Sequence, residues 1–355
     1  MRKYHRSITI IITLLLFLNI LCMYLLQGFN ISSDNYGEAH KKLFNAFYSQ
    51  EDDSLDAVYF GASSVTRYWI PALAFDKNGI AVSGLGTTGQ PFVMMKYLMK
   101  EAEKTQGDAL FIVEFRNIFK STSWVHEINV RRVTDNMKPS LNRLQAVNAG
   151  LDYMSSGGND LGGSPLGVYF PALEAAYRTL KGDNNEKVPF FDDEDISWNN
   201  GFIFSYSTFQ TKKIRESKYN TTDQLPLPAE NEKALYDLLD YCDTIDNDIL
   251  FVLSPWSGKK TNYPYVNTAI DIIASRGYDV LNMNTPDKLK EIGIDWETDF
   301  YNRLHTNLSG AEKYTLYLAD YIQKKYDLKD HRNDPSYSDW TESTELYKKR
   351  KTIKE

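Results

Sequence analysis

The stretch Asp56-Ala-Val-Tyr-Phe-Gly-Ala-Ser-Ser-Val-Thr-Arg-Tyr-Trp69 decides the fold of this chain. Its first five residues are mostly apolar and rich in strand formers, which is typical of a buried parallel β-strand. The strand runs directly into Gly61-Ala-Ser-Ser64, where a tight turn can leave a hydroxyl beyond its carboxyl end. Open α/β sheets bind their ligands at that edge. The stretch therefore predicts both a parallel sheet and a candidate nucleophile.

Downstream of this stretch, short apolar segments alternate with helical ones. Strands are predicted at residues 79–83, 109–115, 248–253 and 278–283, and helices at about 91–104, 228–244, 265–276 and 309–325. The alternation predicts an α/β fold with a doubly wound, mostly parallel sheet, flavodoxin-like in its three layers and with right-handed crossovers.

Residues 116–226 interrupt this alternation. Helical segments near 135–151 and 166–180 are followed by a polar, acidic region around 183–200. We interpret the interruption as a largely helical insert after the third strand that shapes a substrate cleft, because loops at the carboxyl ends of strands carry specificity in such folds. The alternative is a separate helical cap that packs elsewhere.

The N-terminus combines a basic start with a long apolar run. Met1-Arg-Lys-Tyr-His-Arg6 precedes residues 8–26, which are almost wholly apolar. At about 1.5 Å per residue, such a run spans a hydrocarbon core of about 30 Å. The positive-inside rule then places the N-terminus in the cytosol and the rest of the chain outside. An uncleaved single-pass membrane anchor is expected; the alternative is a cleaved signal peptide, although no Ala-x-Ala site follows.

Four segments result from these patterns. Residues 1–27 are the cytosolic stub and transmembrane anchor, and residues 28–53 are a polar spacer with a short helix that lifts the domain off the membrane. Residues 54–326 form the α/β domain. Residues 327–355 are highly charged and poor in aliphatic side chains, so a solvated tail is expected.

Charge and cysteine content exclude several classes of protein. The formal net charge of the chain is −7, and the three basic residues ahead of the apolar run make the exported part more acidic still. Nucleic-acid binding requires a basic footprint, so it is not expected. Cys22 would lie in the membrane and Cys242 outside it, so an intramolecular disulfide is not expected. The sequence shows no Cys/His cluster, so neither a metal nor another cofactor is predicted.

A serine nucleophile needs a base, and the chain has five histidines. His5, His40 and His331 fall in the cytosolic stub, the spacer and the tail. Of His126 and His305, the second lies in Asp299-Phe-Tyr-Asn-Arg-Leu-His-Thr-Asn-Leu-Ser-Gly310, just before a predicted helix. A ring there could reach the carboxyl edge of the sheet.

These two stretches together resemble the SGNH (GDSL-like) hydrolase family. Gly61-Ala-Ser63 matches the Gly-x-Ser of its first block, and His305 matches the histidine of its last block, Asp-x-x-His before the C-terminal helix. The resemblance covers roughly residues 54–326, apart from the insert. It implies that Ser63 is the nucleophile and His305 the base, while Ser64 more plausibly caps the following helix.

The group that orients the imidazole is left open by the resemblance. Asn302 occupies the position of the usual Asp and has no charge to stabilise an imidazolium. Asp299, six residues before His305, could take this role instead, or Asn302 could orient the ring, or the site could be a Ser–His dyad.

The resemblance also implies donors for an oxyanion. They are the backbone N–H of Ser63 and that of a glycine after the second strand, Gly86 or Gly89. Gly157-Gly-Asn-Asp160 matches the family's third block in letters but not in place, since it follows a predicted helix. By position, Arg116 or Asn117 at the exit of the third strand would supply that donor. Trp256 is expected to line the cleft or the core.

The resulting expectation is a membrane-anchored, extracytoplasmic serine esterase or O-acyltransferase. Its substrate would be an acyl ester of a cell-envelope glycan or teichoic acid, and an acyl-donor membrane protein would be a partner if a sugar hydroxyl accepts the acyl group. The layout is similar to that of the D-alanyl transfer proteins of teichoic acid synthesis. The alternatives are a non-catalytic protein that holds the polymer on the same scaffold and a structural anchor with an interaction tail.

Overall fold

A five-stranded, all-parallel sheet is the centre of the described structure. The computed structural model describes residues 2–25, 37–162, 165–171, 174, 200–203, 213–216 and 219–354. The spatial order of the strands is β2-β1-β3-β4-β5. They are β1 (Ala57–Gly61), β2 (Val82–Gly86), β3 (Leu110–Glu114), β4 (Ile249–Leu253) and β5 (Asp279–Asn282). The predicted α/β class with a parallel sheet is confirmed, and the arrangement is consistent with a doubly wound fold.

Helices precede, connect and follow these strands. They are α1 (Arg2–Leu25), α2 (Gly37–Tyr48), α3 (Ser63–Tyr68), α4 (Pro71–Asn78), α5 (Met95–Glu103), α6 (Glu127–Thr134), α7 (Leu141–Ser156), α8 (Pro165–Tyr169), α9 (Ala229–Cys242), α10 (Tyr263–Ser275), α11 (Pro286–Ile292), α12 (Leu308–Tyr326) and α13 (Ser338–Lys354). In the part of the chain that the structure describes, no helix combines the length and apolarity needed to cross a bilayer.

The sheet separates two apolar cores. Successive side chains of a strand point to opposite faces. In β1, Val58 and Phe60 pack into a core shared with α5, α7, α9 and α10, whereas Ala57 and Tyr59 pack into a core shared with α3, α4 and α12. Helices therefore cover both faces of the sheet, as the near-continuous apolar strands require.

The strand order determines where a ligand site can form. β1 pairs with β2 on one side and with β3 on the other. In a sheet with the order 2-1-3-4-5, the order reverses between β1 and β3, and a crevice opens there outside the carboxyl ends of the strands. The loops after β1 and β3 flank that crevice, which places Ser63 and Arg116 beside it.

The second strand lies three residues later than the sequence predicts, at Val82–Gly86. Its glycines suggested a loop, but they permit close approach of the backbone. A Cβ on Gly86 would lie 2.3 Å from the Gly61 carbonyl oxygen, and a Cβ on Gly84 would lie 3.3 Å from the Gly201 Cα. Tertiary contact therefore selects glycine here against its weak strand propensity.

The described part of the expected spacer, residues 37–53, packs on the α/β domain, and its predicted short helix is α2 (Gly37–Tyr48). Helix α2 buries Leu43, Phe44 and Phe47. His40 on this helix is also buried, and its Nε2 accepts a 3.0 Å hydrogen bond from the Thr88 backbone N–H in the loop after β2. Apolar side chains at helical spacing need a partner surface, and the edge of the sheet supplies it. Residues 28–36 lie outside the described residues.

The charged C-terminal segment also packs on the domain, contrary to the expected solvated tail. Helix α13 buries Trp340 and Tyr347, and the Trp340 ring lies 5.7 Å from the Phe75 ring of α4. The Thr344 hydroxyl donates to the Ala72 carbonyl at 3.2 Å. The two aromatic side chains and the buried Arg350 face the domain, while most other charged side chains of the helix face water.

The insert is described in part. The helix predicted at 135–151 corresponds to α7, which begins only at Leu141 because Pro139 disfavours helix at the residue before it; α6, which ends at Thr134, was not predicted. The structure describes the first part of the helix predicted at 166–180, namely α8 together with Phe170, Pro171 and Glu174. The acidic region at 183–199 lies outside the described residues. Residues 200–203 cover the free edge of β2, where the Asn200 carbonyl accepts from the Gly84 N–H at 2.8 Å.

Candidate active site

Ser63 begins helix α3 directly after β1, at the edge where the crevice opens. Gly61 makes this turn possible, since a Cβ there would lie 2.5 Å from Val65 Cγ2 and 2.9 Å from Glu114 Cβ. The N-cap of α3 is Ala62, and no side chain caps the helix, so Ser64 does not have the expected capping role. Ser64 is buried.

The structure brings Ser63 and His305 together. The Ser63 Oγ lies 2.8 Å from the His305 Nε2, across 242 residues of sequence. The loop that carries the imidazole is held by an antiparallel bridge between Phe300 and Thr306. The Tyr301 ring stacks on the imidazole with centroids 5.6 Å apart and an interplanar angle of 12°. This is the geometry of a nucleophile and its general base.

Asn302 shapes the loop and does not contact the free nitrogen of the imidazole. Its Oδ1 accepts hydrogen bonds from the backbone N–H groups of Leu304 (2.8 Å) and His305 (2.9 Å). This is an Asx-type turn, in which a side-chain oxygen orders the following backbone. Asn302 therefore positions the imidazole of His305 through the main chain.

Asp299, the other candidate for orienting the imidazole, faces away from it. Its side chain is fully buried, and its carboxylate accepts from the Asp295 backbone N–H (2.7 Å), the Ser309 hydroxyl (2.8 Å) and the Lys313 ammonium (2.7 Å). These contacts join the loop to the first turns of α12. The described residues provide no hydrogen-bond partner for the buried His305 Nδ1. The described geometry is thus a Ser–His dyad.

The imidazole lies among cations. Burial, together with the charges of Arg116, Arg67 and Lys120, holds the pKa of His305 well below its ordinary value of 6.5. The ring is therefore neutral at neutral pH, and its Nε2 can accept the Ser63 proton. The same cations, with no carboxylate among the described residues on Nδ1, would make an imidazolium at this position costly.

Arg116 links three strand-end loops behind the dyad. It is buried, and its Nη1 donates to the Tyr68 hydroxyl at 3.0 Å and to the Pro255 carbonyl at 3.4 Å. The Tyr68 hydroxyl lies 2.6 Å from the Pro255 oxygen and 2.9 Å from the Leu304 oxygen. Tyr68 therefore supports the residue next to His305, a role that no motif in the sequence marks.

A buried carboxylate balances Arg116. Glu114 at the end of β3 accepts from the backbone N–H groups of Arg116 (3.0 Å) and Ser254 (3.1 Å). Burial raises the pKa of Glu114, and the Arg116 charge opposes that shift. A charged residue that ends an otherwise apolar strand is the signal by which Glu114 could have been found in the sequence.

The other residues expected to donate to an oxyanion are Gly86, Gly89 and Asn117. Gly86 lies beside the serine turn, close to the Gly61 carbonyl. Gly89 has a φ of +69°, and a Cβ there would lie 2.5 Å from Asn129 Nδ2 of α6. Asn117 is half-buried, and its carbonyl accepts from the Lys120 N–H at 3.0 Å.

The Gly157-Gly-Asn-Asp160 motif lies after α7. The Asn159 side-chain amide donates to the carbonyls of Ser123 (2.9 Å) and Val125 (2.8 Å). The side chain therefore holds the loop before α6, and the described contacts give it no role at the dyad.

A cavity of about 1090 Å³ opens beside the dyad, walled by the loops after β3 and β4 and by residues 302–304. Trp256 lines it but is only 1% exposed, because its ring stacks on Phe119 with centroids 6.1 Å apart. Lys120 also lines it, and burial together with the charge of Arg116 lowers the Lys120 pKa to about 8. No motif in the sequence marks Lys120.

Among the described residues, no group of three or more His, Cys, Asp and Glu side chains is placed to hold a metal ion. Comparison of the chain with protein-family models and with curated proteins found no match.

Proposed function

We propose that this chain is a serine esterase or O-acyltransferase of the SGNH type, with Ser63 as nucleophile and His305 as general base. The observation that carries the proposal is the 2.8 Å separation of the Ser63 Oγ and the His305 Nε2 at the carboxyl edge of a parallel sheet. The resemblance of Gly61-Ala-Ser63 and of the His305 loop to the two end blocks of the family supports the same assignment.

The reaction would proceed in two acyl transfers. The Ser63 Oγ attacks the ester carbonyl while its proton passes to the His305 Nε2. The tetrahedral intermediate then expels the alcohol, which takes the proton back and leaves an acyl-serine. Water or a sugar hydroxyl attacks this ester next, His305 accepts its proton, and the proton returns to the Ser63 oxygen as the acyl group departs. Water as acceptor gives hydrolysis, and a sugar hydroxyl gives O-acyl transfer.

The proposed setting is the outer face of the cell membrane, with a glycan or teichoic acid of the cell envelope as substrate. Its support is the basic start of the chain and the apolar residues 8–26. The acidic net charge is consistent with a substrate other than nucleic acid. For acyl transfer, the donor would be a membrane protein that delivers the acyl group.

A second candidate function is polymer binding without turnover. The observation that favours it is the unpartnered Nδ1 of His305, because a dyad without a carboxylate stabilises the imidazolium less well than a triad. In this reading the same cleft holds the polymer during export or assembly, and Ser63 is not activated.

Reaction with a fluorophosphonate serine probe separates the two functions. The full-length chain in detergent is expected to incorporate one label, located on Ser63 by mass spectrometry, and His305→Gln is expected to abolish the label. Ser64→Ala is the matched control, since it removes the neighbouring hydroxyl and should leave the label in place. A folded protein that takes no label, or takes it elsewhere, would refute the enzyme assignment.

A further inference from the structure

The cavity beside the dyad is lined by an excess of cations. Lys120, Lys259, Lys260 and Arg303 line it, and Asp223 is the one carboxylate among the described residues around it. The chain as a whole is acidic, with 47 acidic and 40 basic residues, so this local composition is opposite to the average. We call this space the basic cavity.

Most of these cations lack a carboxylate partner within the described part of the chain. No ion pair is formed there by Lys120, Lys259 or Lys260, and the Lys120 ammonium lies 4.8 Å over the Trp124 ring. Arg303 donates to the Ser257 carbonyl from Nη2 at 3.1 Å and from Nε at 3.3 Å, so two of its three guanidinium nitrogens hold the loop after β4. Cations that are left uncompensated in a concave site focus a positive potential on it.

The positive surface continues away from the dyad. A neighbouring groove of about 440 Å³ shares Lys259, Lys260 and Arg303 with the basic cavity and adds Lys213 and Arg215. Lys213 pairs with Glu297 at 3.1 Å and Glu216 lies in the groove, so the excess is smaller there. The cations thus continue from the basic cavity into the neighbouring groove.

A cavity elsewhere on the domain shows that this composition is local. The space of about 660 Å³ between α5, α7 and α9 is also lined by three lysines, Lys96, Lys100 and Lys233. They are matched by three carboxylates, those of Asp152, Glu230 and Asp237. Lysine content therefore does not distinguish the basic cavity, whereas the missing carboxylates do.

The basic cavity adjoins the reacting groups. Leu304 lines it and directly precedes His305, and Lys120 is close enough to lower the His305 pKa. Neither Ser63 nor His305 lines the cavity itself, so a ligand held by the lysines would reach the Ser63 Oγ by extending past Leu304, as a polymer can. Trp256 is buried, but Phe119 and Tyr265 also line the cavity and are partly exposed, so its walls offer aromatic surface as well as positive charge.

We propose that the basic cavity binds the anionic groups of a polymer, either phosphodiesters or carboxylates, and that this holds an ester of the same polymer at Ser63. The inference rests on the proposed function and narrows its substrate class from envelope polymers in general to polyanionic ones. Charge pairing at the cavity supplies binding energy remote from the reacting bond, which an enzyme can use to orient it.

The test is a binding measurement on the full-length chain in detergent with three polymers. Poly(glycerol phosphate) supplies phosphodiesters, polygalacturonate supplies carboxylates, and dextran supplies neither. The polyanion that matches the site is expected to bind at least about tenfold more tightly than dextran and to lose affinity as salt is added. Binding of the first polymer identifies the anion as phosphodiester, and binding of the second identifies it as carboxylate.

The decisive variant is Lys259→Gln with Lys260→Gln, which removes two exposed charges from the rim of the cavity. It is expected to weaken polyanion binding by about tenfold or more. Lys290→Gln with Lys324→Gln is the control, since both side chains are exposed and neither lines the cavity. Circular dichroism of both variants establishes that they fold.

The outcomes separate this inference from the proposed function. Equal affinity for dextran and the polyanions, or equal loss of affinity in both double variants, would overturn the basic cavity as an anion site. Fluorophosphonate labelling of the wild-type chain is scored independently. Polyanion binding that depends on Lys259 and Lys260, in a protein whose Ser63 takes no label, would keep the inference and reject the enzyme.

Discussion

Replacing Tyr68 by Phe is expected to slow the reaction of Ser63 by releasing the loop that carries His305. The Tyr68 hydroxyl is fully buried and lies within hydrogen-bond distance of the Pro255 oxygen, the Leu304 oxygen and Arg116 Nη1. A neutral hydrogen bond contributes about 1 kcal/mol, and one to a charged group about 1.5–3 kcal/mol. The free energy of unfolding should therefore fall by about 2–4 kcal/mol.

Part of that energy holds the base in place. If about 1–2 kcal/mol of it secures the Leu304 carbonyl, the ratio of molecules with His305 within reach of Ser63 to those without falls by a factor of about 5–30. The rate of fluorophosphonate labelling should fall by up to the same factor. Denaturant unfolding gives the stability change, and labelling at a temperature where both proteins are folded gives the rate.

Tyr153→Phe is the matched control for this substitution. Its hydroxyl is also buried and bonds to the Asn231 side chain, so the variant should lose stability through a similar missing bond. It does not touch the His305 loop, and its labelling rate should stay at the wild-type value. If Tyr68→Phe labels as fast as Tyr153→Phe, Tyr68 has no positioning role.

Three further predictions concern the base, its loop and the serine turn. The pKa of His305 lies well below 6.5, and the imidazole must be neutral to act as a base. The labelling rate should therefore stay level as pH falls from 8 to about 6.5 and should decline only below that pH. A midpoint at or above 6.5 in the rate–pH profile would contradict the structure. Asp299→Asn should lower the free energy of unfolding by about 1.5–3 kcal/mol in denaturant titrations, because its charged hydrogen bonds are lost. The folded variant should still be labelled at Ser63. Loss of labelling at unchanged stability would show instead that Asp299 orients the base. Gly86→Ala should lower the free energy of unfolding by about 1–3 kcal/mol in thermal unfolding, because its Cβ would meet the Gly61 carbonyl. The matched Gly107→Ala should lower it less, since no atom lies closer than 3.9 Å to a Cβ at that position. Equal losses of stability in the two variants would reject the steric argument.

Much of the sheet could be predicted because its strands are short, apolar and regularly spaced. Periodic burial leaves a pattern in the sequence, so β1, β3, β4 and β5 lie within one or two residues of their predicted positions. The prediction placed β2 three residues too early, because its glycines have poor strand propensity. Only the close approach of neighbouring backbones explains why glycines stand in this strand. The packing of α2 and α13 was missed for a related reason: a few apolar side chains in polar segments do not specify the surface that covers them.

The sequence by itself determined the α/β class, the carboxyl edge as the place of a site, and Ser63 and His305 as its candidate residues. These follow from local periodicity and from short motifs, which are properties of neighbouring residues. Only the tertiary structure decided which side chains meet. It brought Ser63 within 2.8 Å of His305 across 242 residues, aimed Asp299 at Lys313, set Tyr68 and Arg116 behind the base and gathered the lysines of the basic cavity. Such contacts arise where separate loops converge at one edge of the sheet, and no local pattern in the sequence records that convergence.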